Sequence, residues 1–399
     1  MSETLTRQDA GFLQFPLQAK VQRGLAEAGY SAPRTIQAQT IPAALAGRDV
    51  MGLAQTGTGK TAAFVVPILE RLMTLRRPGP RVLIVAPTRE LVTQIHAELR
   101  TLARFTGLKA VTIYGGVPIQ TQMRELRGRP EIIVACPGRL LDLFERGAIK
   151  FDGIEVLVLD EADHMFDMGF LPDVRRIIAA LPVKRQSLLF SATMPPAVRS
   201  LANGLLQDPH VVELVDSLPP STIEHALYPV AANRKFDLLR HLLADEGFTS
   251  AIVFSRTKHR ARRLAEQLSR CGHEAVALQG NMTQAQRDRA MEGFRKGRFD
   301  VLVATDIAAR GIDVDHISHV INYDMPATTD AYTHRIGRTG RSERSGKAYS
   351  MFSSEDLPNV HAIERKLGSK ISRRAAPGFD GPLGSVRVAP ARRRRVRSL

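Results

Sequence analysis

Short, continuously apolar runs recur along this chain with helical stretches between them, at 49–54, 81–86, 110–114, 131–135, 155–159 and 187–190. A strand with one wet face alternates apolar and polar residues, whereas an uninterrupted apolar strand has both faces covered. The intervening helices supply that cover, so the pattern predicts an α/β domain whose mostly parallel sheet is flanked by helices. The alternation breaks at 216–222, where Ser217, Leu218, Pro219, Pro220 and Ser221 read as an irregular connector. It restarts at 251–254, 275–278, 301–304, 320–323 and 348–352, which predicts a second lobe of the same class. A length of 399 residues agrees, since it exceeds the roughly 100–200 residues of one ordinary core.

One intervening helix shows the periodicity at residue level. Ala261, Leu264, Ala265, Leu268 and Cys271 recur at helical spacing, Arg262, Arg263, Glu266 and Arg270 occupy other faces, and Gly272 ends the run. Cys271 is therefore expected on the core face. From Ser372 the periodicity fades: Arg373, Arg374, Arg387, Arg392, Arg393, Arg394, Arg395 and Arg397 lie among Pro and Gly, with Asp380 the sole acid. The expected organisation is a first domain over 1–215, a linker over 216–222, a second domain over 223–371 and a basic, disordered tail over 372–399.

Lys and Arg outnumber Asp and Glu by 56 to 40, a formal net charge of +16. Such an excess favours a polyanionic partner, with RNA, DNA or an anionic membrane surface as the physical candidates and charge for solubility as the plain alternative. No apolar run approaches the roughly 20 residues of a membrane span, and residues 1–11 are too polar for a signal peptide, so a cytoplasmic protein is expected. Cys136 and Cys271 form no CxxC or Cys/His cluster, which argues against a zinc site or a disulfide framework. Both are read as reduced and structural.

Ala54-Gln55-Thr56-Gly57-Thr58-Gly59-Lys60-Thr61 follows a predicted strand and opens a helix running to about Met73, the setting in which a phosphate-binding loop works. Gly57 and Gly59 let backbone NH groups turn inward around phosphate oxygens, and the helix N-terminus adds a favourable dipole. Lys60 is then placed to hold the β and γ phosphates of a nucleotide, and Thr61 its magnesium. Ala54 stands where the first glycine of such a loop is usual. The apolar strand ending at Leu159 runs into Asp160-Glu161-Ala162-Asp163, and carboxylates at a strand's C-terminal end need a cation or bound partners. Beside a phosphate loop, Asp160 is positioned for magnesium and Glu161 for orienting or deprotonating the attacking water. A solvated acidic turn is the alternative for this motif taken alone.

These residues resemble the DEAD-box RNA helicases over about 12–352, and the general similarity with a basic tail is nearest to a compact bacterial RhlE-like subgroup. The resemblance implies two tandem RecA-like domains that hydrolyse ATP with magnesium and bind single-stranded and structured RNA. Upstream, Phe12 with the segment from Gly29 to Gln37 is similar to the family's adenine-reading element, in which Gln37 reads the base edge and Phe12 supports it. Pro87-Thr88-Arg89, Gly115-Gly116 and Pro137-Gly138-Arg139 look like the segments that touch the RNA backbone. Cys136 departs from the usual threonine, and a thiol is the poorer hydrogen-bonding group, so one contact or local cap is put in question.

Ser191-Ala192-Thr193 resembles the motif linking hydrolysis to strand separation, and Asp163 is a further coupling position. In the second lobe Phe254, Arg287, Thr305, Arg310 and Gly311 are similar to RNA-contacting positions, and Asp313 to a nucleotide contact. His334-Arg335-Ile336-Gly337-Arg338-Thr339-Gly340-Arg341 implies Arg338 and Arg341 as arginine fingers and His334 as a coupling residue. Taken without the resemblance, Arg335, Arg338 and Arg341 also fit a solvated basic face. Ribosomal-RNA precursors or the RNA-decay machinery are the partners this family implies, with a monomeric chain and no membrane. Two rival classes stay open at this level: an ATP-gated RNA clamp, and a DNA helicase or translocase of the wider superfamily.

Overall fold

The computed structural model describes residues 11–55, 57–74, 77–214, 223–245, 247–309, 314, 316–340, 345–377 and 379. The chain divides into two compact units, one running to Ser217 and the other starting at Leu218. This division falls inside the 216–222 stretch, which lies outside the described residues.

In the first unit the strands are β1 (Val50–Leu53), β2 (Val82–Val85), β3 (Ala110–Ile113), β4 (Ile132–Ala135), β5 (Val156–Leu159), β6 (Gln186–Ser191) and β7 (His210–Glu213). They form one parallel sheet in the order β3-β4-β2-β5-β6-β1-β7. In the second unit β8 (Ile223–Pro229), β9 (Ala251–Phe254), β10 (Ala275–Leu278), β11 (Val301–Ala304), β12 (His319–Asn322), β13 (Gly346–Phe352) and β14 (Ser372–Arg373) run in the order β10-β11-β9-β12-β13-β8-β14. Adding seven to each strand number of the first order gives the second, so the two units repeat one topology.

Central strands are buried on both faces, as the apolar runs predict: β2, β4, β5, β9, β11 and β12 have no exposed residue. Edge strands show why sequence patterning weakens there. β7 buries only Val212 fully, and β14 is two exposed residues, so neither needs an apolar run. Both are absent from the runs read in the sequence, as is β8, whose first half carries Glu224 and His225.

Two expectations change. Residues 372 and 373, expected in the disordered tail, pair with β8 as β14, and Arg374 N donates to Leu227 O at 2.9 Å. Arg373 and Arg374 reach Glu364 and Glu224, and Ala376 is buried, so the second domain extends past 371. The remaining tail, 380–399, lies outside the described residues. Cys271 is exposed rather than on the core face, because the helix ends at Arg270 and Cys271 adopts the C-cap conformation, where helical spacing no longer fixes its direction. Ala261, Leu264, Ala265 and Leu268 are buried as expected.

Candidate nucleotide and RNA sites

The loop from Ala54 joins β1 to the helix Lys60–Thr74. Gly57 and Gly59 sit at φ +85° and +93°, a region that costs any residue with a Cβ. At Gly59 a Cβ would also meet Gln37 Nε2 at 2.5 Å. Ala54 is tolerated in place of glycine because its methyl packs in a small buried cluster with Ile36, Ala63 and Val212. Thr58 Oγ1 donates to Gln55 O at 2.8 Å, closing the turn, while Thr56 lies outside the described residues. The Lys60 side chain is buried, and its Nζ donates to Ala54 O at 2.8 Å. An ammonium held inside a loop of inward-turned backbone is aimed at the space phosphates take. Thr61 is the second residue of the same helix.

Gln37 is only 1% exposed and uses both ends of its amide. Its Oε1 accepts from Arg34 N at 2.8 Å and its Nε2 donates to Gly59 O at 3.1 Å, while Arg34 Nη1 donates to Gly57 O at 2.6 Å. The segment carrying Gln37 is thereby fastened to the loop from Ala54, a link that no spacing in the sequence announces. Phe12 is buried edge-on against Phe15 and Tyr30, with ring centroids 5.9 and 5.8 Å apart, so it supports this element from beneath.

Asp160 follows β5, two strands from β1 with β6 between, which sets roughly 10 Å between the two strand ends. Its carboxyl is pushed up to about 6, chiefly by burial; the Lys60 ammonium opposes this rise and the Glu161 carboxylate adds to it. Glu161 is buried in the left-handed conformation at φ 53°, ψ 53°, an unfavourable one for a side-chain-bearing residue and of the kind concentrated at functional positions. Its N donates to Asp160 Oδ1 at 2.9 Å, and its Oε2 lies 2.7 Å from His164 Nδ1.

Asp163 completes a closed network. Its Oδ2 accepts from Thr193 N and Oγ1 at 2.9 and 2.8 Å, its own N donates to Ser191 Oγ at 3.2 Å, and Ser191 Oγ donates to Thr193 O at 2.7 Å. Thus three hydrogen bonds tie the acidic turn to the end of β6. Leu53 is in register with Ser191, which sets this network beside the phosphate loop.

The first lobe's three candidate RNA segments also meet. Arg89 lies against the Gly115-Gly116 turn so closely that a Cβ on Gly116 would fall 2.2 Å from its guanidinium. Arg139 Nη1 donates to Val117 O at 3.1 Å and Gln122 Oε1 at 3.4 Å, and Gln122 Nε2 donates to Tyr114 O at 2.8 Å. Gln122 is a site residue the sequence did not show. Thr88 caps its helix by accepting from Leu91 N at 3.3 Å, whereas Pro137 and Gly138 open a helix whose cap residue, Cys136, makes no side-chain cap bond. Burial pushes the Cys136 thiol up to about 12, so it stays neutral. Thr257, Thr283 and Thr328 cap their helices through the side chain as Thr88 does. Cys136→Thr should therefore raise stability by about 0.5–1 kcal/mol, as Arg139 N gains an acceptor. Urea unfolding checks it, with Cys136→Val as the variant expected to gain nothing.

In the second lobe Arg335 is 3% exposed and fully engaged. Its Nε and Nη2 donate to Asp306 Oδ1 and Oδ2 at 2.5 and 2.8 Å, its Nη1 donates to Asn322 Oδ1 at 3.0 Å and Asp324 O at 2.8 Å, and it lies 5.0 Å over the Phe254 ring. Arg338 is 4% exposed, so neither belongs to a solvated basic face. Arg287 Nη2 donates to Ala308 O at 3.4 Å, which puts it beside the helix that follows Thr305. His334 stands in the helix Thr329–Ile336, half-buried. Arg310, Gly311, Asp313 and Arg341 lie outside the described residues.

Among the described residues no group of three or more His, Cys, Asp or Glu side chains is placed to hold a metal. Magnesium carried by a nucleotide needs only one or two protein oxygens with phosphates and water completing the shell, and the Asp160 carboxylate with the Thr61 hydroxyl fits that donor set.

Residues 34–201 match the DEAD/DEAH box helicase model and residues 234–343 the helicase conserved C-terminal domain. The ATP-dependent RNA helicase RhlB of Pseudomonas syringae is 44% identical over 92% of this chain and 95% of its own length. The DEAD-box ATP-dependent RNA helicase CshA of Geobacillus kaustophilus is 39% identical over 95% of this chain and 81% of its own. Among solved structures, Dbp5 of Saccharomyces cerevisiae bound to RNA and ADP BeF3 superposes with a TM-score of 0.81, at 32% identity over 92% of this chain and 95% of that one. These relatives carry the family and leave the RhlE-like placement an expectation. On the two domain matches and these identities, the chain belongs to the DEAD-box ATP-dependent RNA helicases.

Proposed function

We propose that this chain couples ATP hydrolysis to local, largely sequence-independent opening of RNA duplexes. The reading is carried by one observation: Asp163 joins the turn that bears Asp160 and Glu161 to the end of β6, through its backbone N to Ser191 and its carboxylate to Thr193. A change at the phosphates therefore has a rigid route into the sheet.

In this reading Lys60 and the loop from Ala54 to Thr61 hold the triphosphate, and Gln37 with Phe12 below it sets the adenine. Thr61 and Asp160 would hold magnesium, which when bound neutralises charge on the β and γ oxygens. Glu161 orients the attacking water and takes its proton. Arg338 and Arg341, with Asp313, reach the nucleotide when the lobes close, and His334 couples that closure to RNA. Thr88, Arg89, Gly115, Gly116, Pro137, Gly138 and Arg139 on one lobe, with Arg287, Thr305, Arg310 and Gly311 on the other, grip phosphate and ribose. Recognition through such groups carries no base code, and the absence of Trp with only 6% aromatics offers few stacking platforms. Ribosomal-RNA precursors and RNA bound for decay are substrates of this kind. No helix among the described residues is long and apolar enough to cross a membrane, and a monomer acting in the cytoplasm is the form proposed.

ATP hydrolysis is to be measured with single-stranded RNA and DNA of matched length, beside a strand-displacement assay. RNA-selective stimulation with release of short duplexes is expected. Equal stimulation by DNA would replace the proposal with a DNA translocase, and RNA-dependent nucleotide binding without strand release would replace it with a clamp.

A further inference from the structure

The helix Lys258–Arg270 carries Lys258, Arg260, Arg262, Arg263 and Arg270 against a single acid, Glu266. Ala261, Leu264, Ala265 and Leu268 bury its inner face, and all five cations are exposed. His259, Arg262, Arg263, Glu266, Gln267 and Arg270 recur at helical spacing and line one shallow groove on the outer face. Glu266 is taken by Arg262 at 2.9 Å; Arg263 and Arg270 have no ion partner among the described residues.

Local helix energetics opposes this arrangement. The first turn holds Lys258, His259 and Arg260 and no acid, where the helix dipole favours carboxylates. Lys258 and Arg262 place like charges four residues apart, each such feature costing a few tenths of a kcal/mol. A face of mixed sign would stabilise the helix and dissolve as well, so the excess is explained by an anion it meets. Position says which anion. The helix starts just past Phe254 and Thr257, at the end of β9 beside β11 and Thr305, and runs about 18 Å down the side of the lobe.

We infer that the groove lined by His259, Arg262, Arg263 and Arg270 is an accessory track for RNA phosphates, taking the strand where it leaves the edge formed by Arg287 and Thr305. The inference rests on reading that edge as RNA-binding. The groove's cations Arg262, Arg263 and Arg270 are arginines, whose planar guanidinium matches phosphate oxygens two at a time, while Arg260 is taken by Asp324 at 2.7 Å. An acidic protein segment satisfies the charge equally, but RNA is already delivered to the start of the groove.

The test uses the full chain and the triple variant Arg262→Gln/Arg263→Gln/Arg270→Gln, whose sites are all exposed. Binding of two oligouridines, one just filling the core and one several times longer, is titrated against salt. The variant should bind the short RNA as the wild type does, while on the long RNA its log–log salt slope becomes shallower by about 2, from roughly 0.7 for each charge removed. Unchanged binding and slope on the long RNA overturns the track and leaves the groove to an acidic protein. Equal weakening on both lengths also overturns it, because a general field rather than a track is then at work. If the wild-type chain binds neither RNA, the RNA reading of the edge falls first and the track with it.

Discussion

Arg341→Ala should lower RNA-stimulated ATP turnover by about 10³-fold or more while ATP binding stays within a few fold of wild type. Arg338→Ala should do the same. A cation brought to the γ phosphate only when the lobes close stabilises charge that develops in the transition state, so its removal acts on turnover rather than on ground-state binding. The structure sharpens the choice among the three arginines of this run. Arg335 is buried and committed to Asp306, Asn322 and the Asp324 carbonyl, and its loss would leave the buried Asn322 Oδ1 and Asp324 O without this donor. Arg335→Ala is therefore expected to lower the melting temperature of the second lobe. The check is single-turnover hydrolysis with saturating RNA, beside fluorescent-nucleotide binding and thermal melts. Near-normal hydrolysis in Arg341→Ala and Arg338→Ala would remove the trans-acting cations from the proposal.

Asp160→Asn should abolish turnover and stabilise the nucleotide-free protein. Loss of the carboxylate that would hold magnesium removes several kcal/mol of charge stabilisation, on the order of 10³ in rate. The stability effect has the opposite sign. Burial moves this carboxyl from 3.8 to about 6, so at neutral pH the fold carries a charge that costs it about 3 kcal/mol. Asparagine keeps the shape and the acceptor for Glu161 N without that charge, and a gain of roughly 1–3 kcal/mol is expected.

The pH dependence follows from the raised value. Below about 3.8 the folded and unfolded chains both hold the proton and the variant has no advantage. Between about 3.8 and 6 the folded wild type keeps a proton that its unfolded chain has released, so wild-type stability falls with rising pH relative to the variant. Above about 6 the gap is complete and flat. Melting curves of both proteins from pH 4 to 8 without nucleotide measure it; a gap that stays flat across this range would show that burial does not raise the Asp160 carboxyl.

The class of fold was legible in the residues alone, and so were the candidate residues of the ATP site. Parallel strands covered on both faces cannot hide their apolarity, so β2, β4, β5, β9, β11 and β12 were legible as runs. A phosphate loop and an acidic turn are contiguous in the chain because each is built on one strand end, and Lys60, Asp160 and Glu161 could be read from their neighbours alone.

What the tertiary structure decided are the links between segments far apart in sequence. The grip of Gln37 on Gly59, of Asp163 on Thr193, and of Arg335 on Asp306 depends on strand order, and strand order leaves no periodic trace. Edge elements escaped for a related reason: β7 and β14 bury little, so nothing constrains their composition. Cys271 shows the limit of periodicity itself, because spacing predicts direction only while the helix lasts, and this one ends a residue earlier.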